Sequence, residues 1–296
     1  MLLKFRQQKD NMSTQNMWED WQDFRNSFGS TLLKINELLT INRGRVLLLG
    51  AGNGNDVPIE IIEEMFEEIV LVDIDSEALS RFISKTGNSK KYTCIEADLS
   101  GIGHLIPDLK HKSERHIIEL LESINYEPLW VKKITGKFDC VINCHYTSQL
   151  IAPIFMSRFD NRVTYPSRKY LLSLSNCSKR VLGGLFRDIH LVMSDGGIFI
   201  HSTDVFEVSF NSNGKSHPGS SEILKATGGD LQKVGEIVSL YDELMKKGYH
   251  VTGSEYPDNL KDIFEHFVIF INPWTFIDSD IEKKTYIVFT DAFRKK

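Results

Sequence analysis

One stretch of the chain leaves little freedom in how it folds: Val46-Leu47-Leu48-Leu49 runs straight into Gly50-Ala51-Gly52-Asn53-Gly54. A short run that is apolar at every position, rather than at alternate ones, suits a strand covered on both faces, as in a parallel sheet. Three glycines at alternate positions suit a backbone that turns sharply out of that strand and comes close to a ligand, because residues without a Cβ meet both demands. The helix expected next, Val57 to Glu67, would present unpaired N–H groups at its start, a setting for a carboxylate or pyrophosphate.

Alternation follows. Glu68 to Asp73 reads as a strand, Ser76 to Lys85 as a helix with Ser76 as N-cap, Lys91 to Ala97 as a strand closed by Asp98, and Phe138 to Asn143 as a fourth strand. The connection from Leu99 to Lys137 holds a helical stretch near Arg115 to Ile124. Ser167 to Val192 reads as a helix, and Asp195-Gly196-Gly197 turns the chain into a strand at Ile198 to Ser202. Phe206 to Gly229 is rich in Ser, Asn, Gly and Lys and reads as a long loop of the kind that forms lids. Beyond it come a helix, Asp230 to Lys247, and strands at Tyr249 to Gly253, His266 to Ile271 and Lys284 to Thr290. Parallel strands need helical crossovers. The expected fold is therefore α/β, a doubly wound, mainly parallel sheet of about seven strands. Residues 1–40 form a helical extension, marked by Trp18, Trp21, Phe24 and Phe28 at helical spacing, and residues 41–296 form one domain with insertions near 100–137, 150–170 and 206–229.

Two ligand classes compete for the glycine loop. A dinucleotide-binding loop has its third glycine three positions after the second, where this chain has Asn55; here the spacing is Gly-x-Gly-x-Gly, ending at Gly54. In this the chain resembles the class I, Rossmann-like S-adenosylmethionine-dependent methyltransferase superfamily, over roughly Arg45 to Thr203. The resemblance implies that S-adenosylmethionine is held by Gly50, Ala51, Gly52 and Gly54. Asp73, ending the second strand, would grip both ribose hydroxyls, and Asp98 would accept a bond from the adenine amino group, with Ile74 and Leu99 against the ring. Asp73 by itself also suits a dinucleotide, or plain helix capping, a role open to Asp75 and Ser76 as well. Many relatives carry an acid two residues before the first glycine. Leu48 stands there, and Asp56 is the nearest substitute.

Ligands of open α/β sheets bind beyond the carboxyl ends of the strands, which directs attention to Asn143-Cys144-His145-Tyr146. Amino-methylating relatives have Asp or Asn, two prolines and an aromatic at this place. Asn143 and Tyr146 match and imply that Asn143 holds the acceptor nitrogen beside the cofactor, while Cys144 and His145 replace the prolines. A hydroxyl acceptor would profit from a base, and His145 is the candidate because imidazole titrates near working pH; the alternative is a structural histidine. His201, Ser202, Thr203 and Asp204 are expected near the acceptor, Trp18 and Trp21 across the cofactor or in the core, and Tyr165, Arg168 and Tyr170 at the surface or the pocket rim.

A formal net charge of −5 argues against a nucleic-acid surface, which needs clustered Lys and Arg. No apolar stretch nears the roughly 20 residues of a membrane span, and the start turns polar too soon for a signal peptide. A cytoplasmic location is expected. Cys94, Cys140, Cys144 and Cys177 lack paired spacing and read as reduced thiols with no metal site, Cys94 and Cys140 as small hydrophobes in strands. Met12 offers an alternative start, which would leave the first eleven residues as a disordered extension. The expected activity is methyl transfer to an N or O atom of a small molecule. The alternatives are aminopropyl transfer from decarboxylated S-adenosylmethionine on the same fold, and a non-catalytic S-adenosylmethionine-binding protein.

Overall fold

A computed structural model describes residues 2–109, 111–157, 159, 165–211, 213–214, 216, 220–247, 256–257 and 260–296. Two helices, α1 (Leu2–Ser13) and α2 (Gln22–Leu39), precede the first strand, β1 (Arg45–Leu49). There follow α3 (Ile59–Met65), β2 (Glu68–Asp73), α4 (Ser76–Ile83), β3 (Tyr92–Glu96), α5 (Glu114–Ser123), β4 (Phe138–Cys144), α6 (Ala152–Met156), α7 (Arg168–Val192) and β5 (Met193–Asn211). The described chain ends with α8 (Ser221–Thr227), α9 (Val234–Lys246), α10 (Leu260–Ile263), β6 (Phe264–Asp278) and β7 (Glu282–Lys295).

Seven strands form one sheet in the order β3-β2-β1-β4-β5-β7-β6. β1 to β5 pair in parallel, and β7 lies antiparallel between β5 and β6. This is the sheet of the Rossmann-like methyltransferase fold. The unbroken apolar runs follow from double coverage. Leu47, Leu49, Val70, Val72 and Val141 share one core layer with α5 and α7 side chains such as Ile117, Leu121 and Leu185. Val46, Leu48, Ile69, Leu71 and Ile142 share the other with Phe28 and Leu32 of α2, Ile62 of α3 and Phe82 of α4. Leu48, fully buried in that second layer, has no place for an acid: a carboxylate there would be desolvated among aromatic and aliphatic side chains.

Several expectations need correction. α3 begins only at Ile59 and has seven residues, so it brings no long helix start up to the loop. Asp75, not Ser76, caps α4, accepting from the Glu77 N–H, as a short acidic side chain in extended backbone does well. Cys94 is exposed because β3 is an edge strand with an incompletely covered face. The Asp195-Gly196-Gly197 turn is an irregularity inside β5: Phe138 pairs with Met193 and Cys140 with Ile198, so four residues intervene where the partner strand has one.

The supposed lid also differs. β5 continues to Asn211 and α8 occupies Ser221–Thr227; the sparse apolar residues Val205, Val208 and Ile223 bury together with Ile237, Ile287 and Phe289, and Ser209 and Ser220 are buried as well, Ser209 N donating to Ser220 Oγ at 2.9 Å. β6 is more than twice, and β7 twice, the length expected from the sequence, because the two support each other as an antiparallel ribbon. The strand expected at Tyr249 to Gly253 lies outside the described residues. Residues 2–11 belong to α1, anchored by polar contacts described below, and are not a disordered extension. No helix of the described residues is long and apolar enough to cross a membrane.

Candidate functional site

The backbone leaves β1 with Gly50, Gly52 and Gly54 at φ +70°, +49° and +68°. Only glycine takes such values without strain, and two of the three positions are closed to a Cβ for a second reason. A Cβ at Gly50 would lie 2.3 Å from the Tyr146 ring, and one at Gly54 2.4 Å from Phe82. The loop is tied back to β2, with Gly50 N donating to Val72 O at 2.9 Å and Gly52 N donating to Asp73 Oδ2 at 2.9 Å. Asp73 Oδ1 accepts from Asp75 N at 2.9 Å, so one carboxylate joins the glycine loop to the start of α4.

The N-terminal segment closes over the loop. Asn53 Nδ2 donates to Asn11 O at 2.7 Å, Asn11 Nδ2 to Asp75 Oδ2 at 3.0 Å, and Asn55 Nδ2 to Thr14 O at 2.5 Å. Lys85 Nζ donates to Asn53 O and Asn55 Oδ1, both at 2.6 Å, and Arg25 Nη1 to Asn55 O at 2.7 Å. Asn55, where a dinucleotide loop has glycine, is thus an anchor for the preceding segment. Its side chain is nearly fully buried.

Between this loop and the outer ends of β4 to β7 lies a cavity of about 530 Å³, within the range of small-molecule sites. Arg6, Asp10 and Asn11 of α1, the glycine loop, Asp56 and Asp73 form one side. Cys144 at the end of β4, His145, Tyr146 and Ser148 after it, Asp204 to Glu207 of β5, and Trp274, Phe276 and Tyr286 of the ribbon form the other, with Trp21 beside them. Among the described lining residues Arg6 is the single cationic side chain against five carboxyls, Asp10, Asp56, Asp73, Asp204 and Glu207. Burial pushes the Asp56 and Asp73 carboxyls up to about 6 and that of Asp204 up to about 7. These carboxyls are raised for want of water around them and of close cationic partners.

Nine buried side-chain polar atoms lack a hydrogen-bond partner among the described residues, and six of them belong to residues that line this cavity: Arg6 Nε, both ring nitrogens of His145, Tyr146 Oη, Asp204 Oδ1 and Trp274 Nε1. Such atoms carry a desolvation cost when left unpaired. Their concentration around one cavity makes it the candidate ligand site.

A narrow slot adjoins the cavity, sharing Gln7, Gly50, Asp73 and Tyr146 with it and walled further by Leu3, Ile74, Ala97, Asp98, Leu99 and Leu150. At about 40 Å³ it has room for a few waters and not for a purine. Leu3 and Gln7 of α1 are the residues that narrow it from outside the sheet. Asp98 lines the slot, but its carboxylate already shapes the loop after β3: Oδ1 accepts from Ser100 N at 2.8 Å and Ser100 Oγ at 2.5 Å, and Oδ2 from Gly103 N at 2.9 Å.

The acceptor residues expected from sequence fare unevenly. Asn143 does not reach the cavity. β4 extends through Cys144, which leaves Asn143 inside the sheet and fully buried, its Nδ2 on His201 Nδ1 at 2.5 Å and Ser202 O at 3.1 Å. Ser202 and Thr203 are likewise turned inward, bonded to Thr290 and Thr147; of the four β5 residues singled out, only Asp204 lines the cavity. Tyr146 lines both cavity and slot. Trp21 lines the cavity, whereas Trp18 carries the Arg25 guanidinium 3.6 Å above its ring. Tyr165 is exposed, while Tyr170 is core, its hydroxyl donating to Phe155 O at 2.7 Å. Arg6, Gln7 and Asn11, together with Trp274, Phe276 and Tyr286, escape a reading of the sequence, because polar helix residues and a distant ribbon leave no local pattern.

His145 lines the cavity wall at φ +56°. Its ring is 2% exposed and caged by Phe24, Phe28 and Trp274 at centroid distances of 5.1, 5.3 and 5.5 Å. Burial, aided by His201, lowers its pKa to about 3. A ring so reluctant to take a proton is a weak base at neutral pH, so its surroundings favour the structural alternative. The expected result is that the His145 imidazole stays neutral from pH 8 down to pH 5, read from its ring nitrogen shifts by NMR. Titration of the ring within that interval would restore the base.

No known sequence family matches the chain, and no curated protein does. Solved structures with a similar course include the N-methyltransferase NodS from Bradyrhizobium japonicum WM9, at 9% identity and TM-score 0.43, covering 93% of this chain and 98% of that one. TehB from Haemophilus influenzae is 8% identical with TM-score 0.42, covering 90% of this chain and 62% of its own. An amino pentose methyltransferase from Micromonospora echinaspora is 9% identical with TM-score 0.33, covering 64% and 57%. At these values the likeness is one of overall chain course and says nothing of what this chain binds.

Proposed function

We propose that the protein is an S-adenosylmethionine-dependent methyltransferase acting on a small-molecule acceptor. The observation that carries this is the meeting, at one cavity mouth, of a glycine loop closed to any Cβ at Gly50 and Gly54 with the buried Asp73 carboxylate that ends β2. A carboxylate has lone pairs beyond those used by Gly52 and Asp75 and can accept from two ribose hydroxyls. Ile74 and Leu99 supply apolar walls for the adenine, and Asp98 retains acceptor capacity at the slot's edge. Admitting the ring requires Leu3 and Gln7 to move outward. Asp56 and Asp10 provide negative charge for the amino and sulfonium groups, a role that Leu48 cannot play. S-adenosylmethionine brings an already activated methyl group, so the chain's own residues need mainly to orient the acceptor and exclude water.

Calorimetric titration with S-adenosylhomocysteine and, separately, with a nicotinamide dinucleotide tests the reading. S-adenosylhomocysteine is expected to bind at micromolar concentration and the dinucleotide not to bind. Binding of the dinucleotide alone would overturn the assignment.

A further inference from the structure

The end of the cavity farthest along β5 has a chemistry of its own. The pairing of β5 with β7 slips between Asp204 and Phe206, and such bulges re-aim side chains; Asp204, Val205, Phe206 and Glu207 all contribute to the cavity wall. Asp204 Oδ2 accepts from Ser148 Oγ at 3.3 Å, and Oδ1 is buried with no partner. Among the described residues no Lys or Arg forms an ion pair with Asp204, and Lys284 lies instead 3.8 Å from Glu207 and 3.4 Å from Glu282. A buried carboxylate left half-satisfied in this way calls for a cationic or donor group from outside the chain.

Around it stands an aromatic wall. Trp21 meets Trp274 edge-on at 4.8 Å, Trp274 meets Phe276 at 5.3 Å, and Phe276 meets Tyr286 at 5.3 Å. Aromatic faces attract ammonium groups and accept apolar carbon. His145, 2% exposed with neither ring nitrogen bonded, completes the wall.

We propose that the acceptor is a small amine, cationic in solution, whose ammonium sits on Asp204 while its apolar body lies against Trp21, Trp274 and Phe276, and that Asp204 takes the proton the amine must lose before methylation. This rests on the methyl-transfer reading above. The ammonium passes one proton to Asp204 Oδ1, and the freed nitrogen lone pair forms the new N–CH3 bond. The C–S bond breaks with its electron pair returning to sulfur, leaving a neutral thioether and a methylated ammonium. At this end of the cavity an anionic acceptor would face the carboxyls of Asp204 and Glu207, and an alcohol would bring no positive charge to Asp204.

Three molecules of one shape decide the matter: 2-phenylethylamine, 2-phenylethanol and phenylacetate, each titrated calorimetrically into the full chain with and without S-adenosylhomocysteine. The amine is expected to bind at least about tenfold more tightly than either other probe. Asp204→Asn, with thermal unfolding as the check on its fold, is expected to abolish that preference. With S-adenosylmethionine in single turnover at saturating amine, the variant is expected to methylate roughly a hundredfold more slowly. Equal binding of amine and alcohol, or an amine preference that survives in Asp204→Asn, overturns the amine site. Unchanged single-turnover rate in the variant, or no methyl transfer to the amine by the native protein, overturns the proton transfer. Failure of S-adenosylhomocysteine to bind strikes the underlying reading instead, and the amine titration without it still judges Asp204.

Discussion

Replacing Asp73 by alanine is expected to weaken S-adenosylhomocysteine binding by roughly 10² to 10⁴-fold, the effect of losing two hydrogen bonds to a charged acceptor at about 1.5–3 kcal/mol each. The carboxylate also holds Gly52 N and Asp75 N at 2.9 Å each, so the alanine variant loosens the glycine loop. Asp73→Asn separates the two roles. Its amide oxygen can still serve one backbone donor, its NH2 cannot serve the other, and the ribose loses a charged partner. Calorimetry with S-adenosylhomocysteine reads the ligand effect, and an affinity within threefold of the native protein in both variants would remove Asp73 from the site. Stability should respond to pH in a definite sense. Burial raises the Asp73 carboxyl from 3.8 to about 6, so between those values this group holds more proton in the folded state than in the unfolded one, and its contribution to stability falls as pH rises through that interval. Thermal unfolding of the unliganded protein from pH 4 to 7 reads this contribution as the difference between the native protein and Asp73→Asn, the native protein losing more stability, or gaining less, as pH rises, because the depressed His145 and His201 act in the opposite sense in both.

Gly54→Ala is expected to be the most damaging conservative change in the loop. Gly54 has φ +68°, and an added Cβ would lie 2.4 Å from the ring of Phe82, itself 1% exposed in the core layer beneath α4. Left-handed backbone costs an alanine about 1–2 kcal/mol, and forcing the ring aside costs about 1–3 kcal/mol more. Gly196 provides the control, for it has φ +71° and an added Cβ there would meet no atom within 4 Å. Gly196→Ala therefore carries the backbone cost alone. In thermal unfolding Gly54→Ala should lower Tm by roughly 5–15 °C and Gly196→Ala by roughly 2–8 °C, at about 2–4 °C per kcal/mol for a chain of this size. Equal losses would mean that Phe82 yields freely and that the loop tolerates a side chain at Gly54.

The elements legible in the sequence are those whose signal is local. β1, β2 and β4 announce themselves because strands covered on both faces must be apolar at every position, and Leu47 and Leu48 serve opposite core layers. The glycines at 50, 52 and 54 announce their loop because no other residue takes those backbone angles cheaply. The surroundings of Asn143 and His145 are illegible for the converse reason. Whether a residue at the end of a strand points to a cavity or into the sheet depends on where pairing stops. β4 pairs with β5 as far as Cys144 with Ser202, and nothing in Asn143-Cys-His-Tyr announces that. β5 past residue 205 reads as a loop in the sequence because its apolar residues are few; they suffice only because Ile287 and Phe289 of β7 and Ile223 of α8 cover them.

The amino-acid sequence by itself determined the parallel half of the sheet, the glycine loop and the acid at its neighbour's end, since periodicity and backbone sterics act over a few residues. Only the tertiary structure decided which side chains share the cavity. Arg6, Asp73, His145, Asp204 and Trp274 meet there from five separate parts of the chain, brought together by strand register and by an N-terminal segment folded across the loop. Long-range packing of that kind leaves no spacing to read.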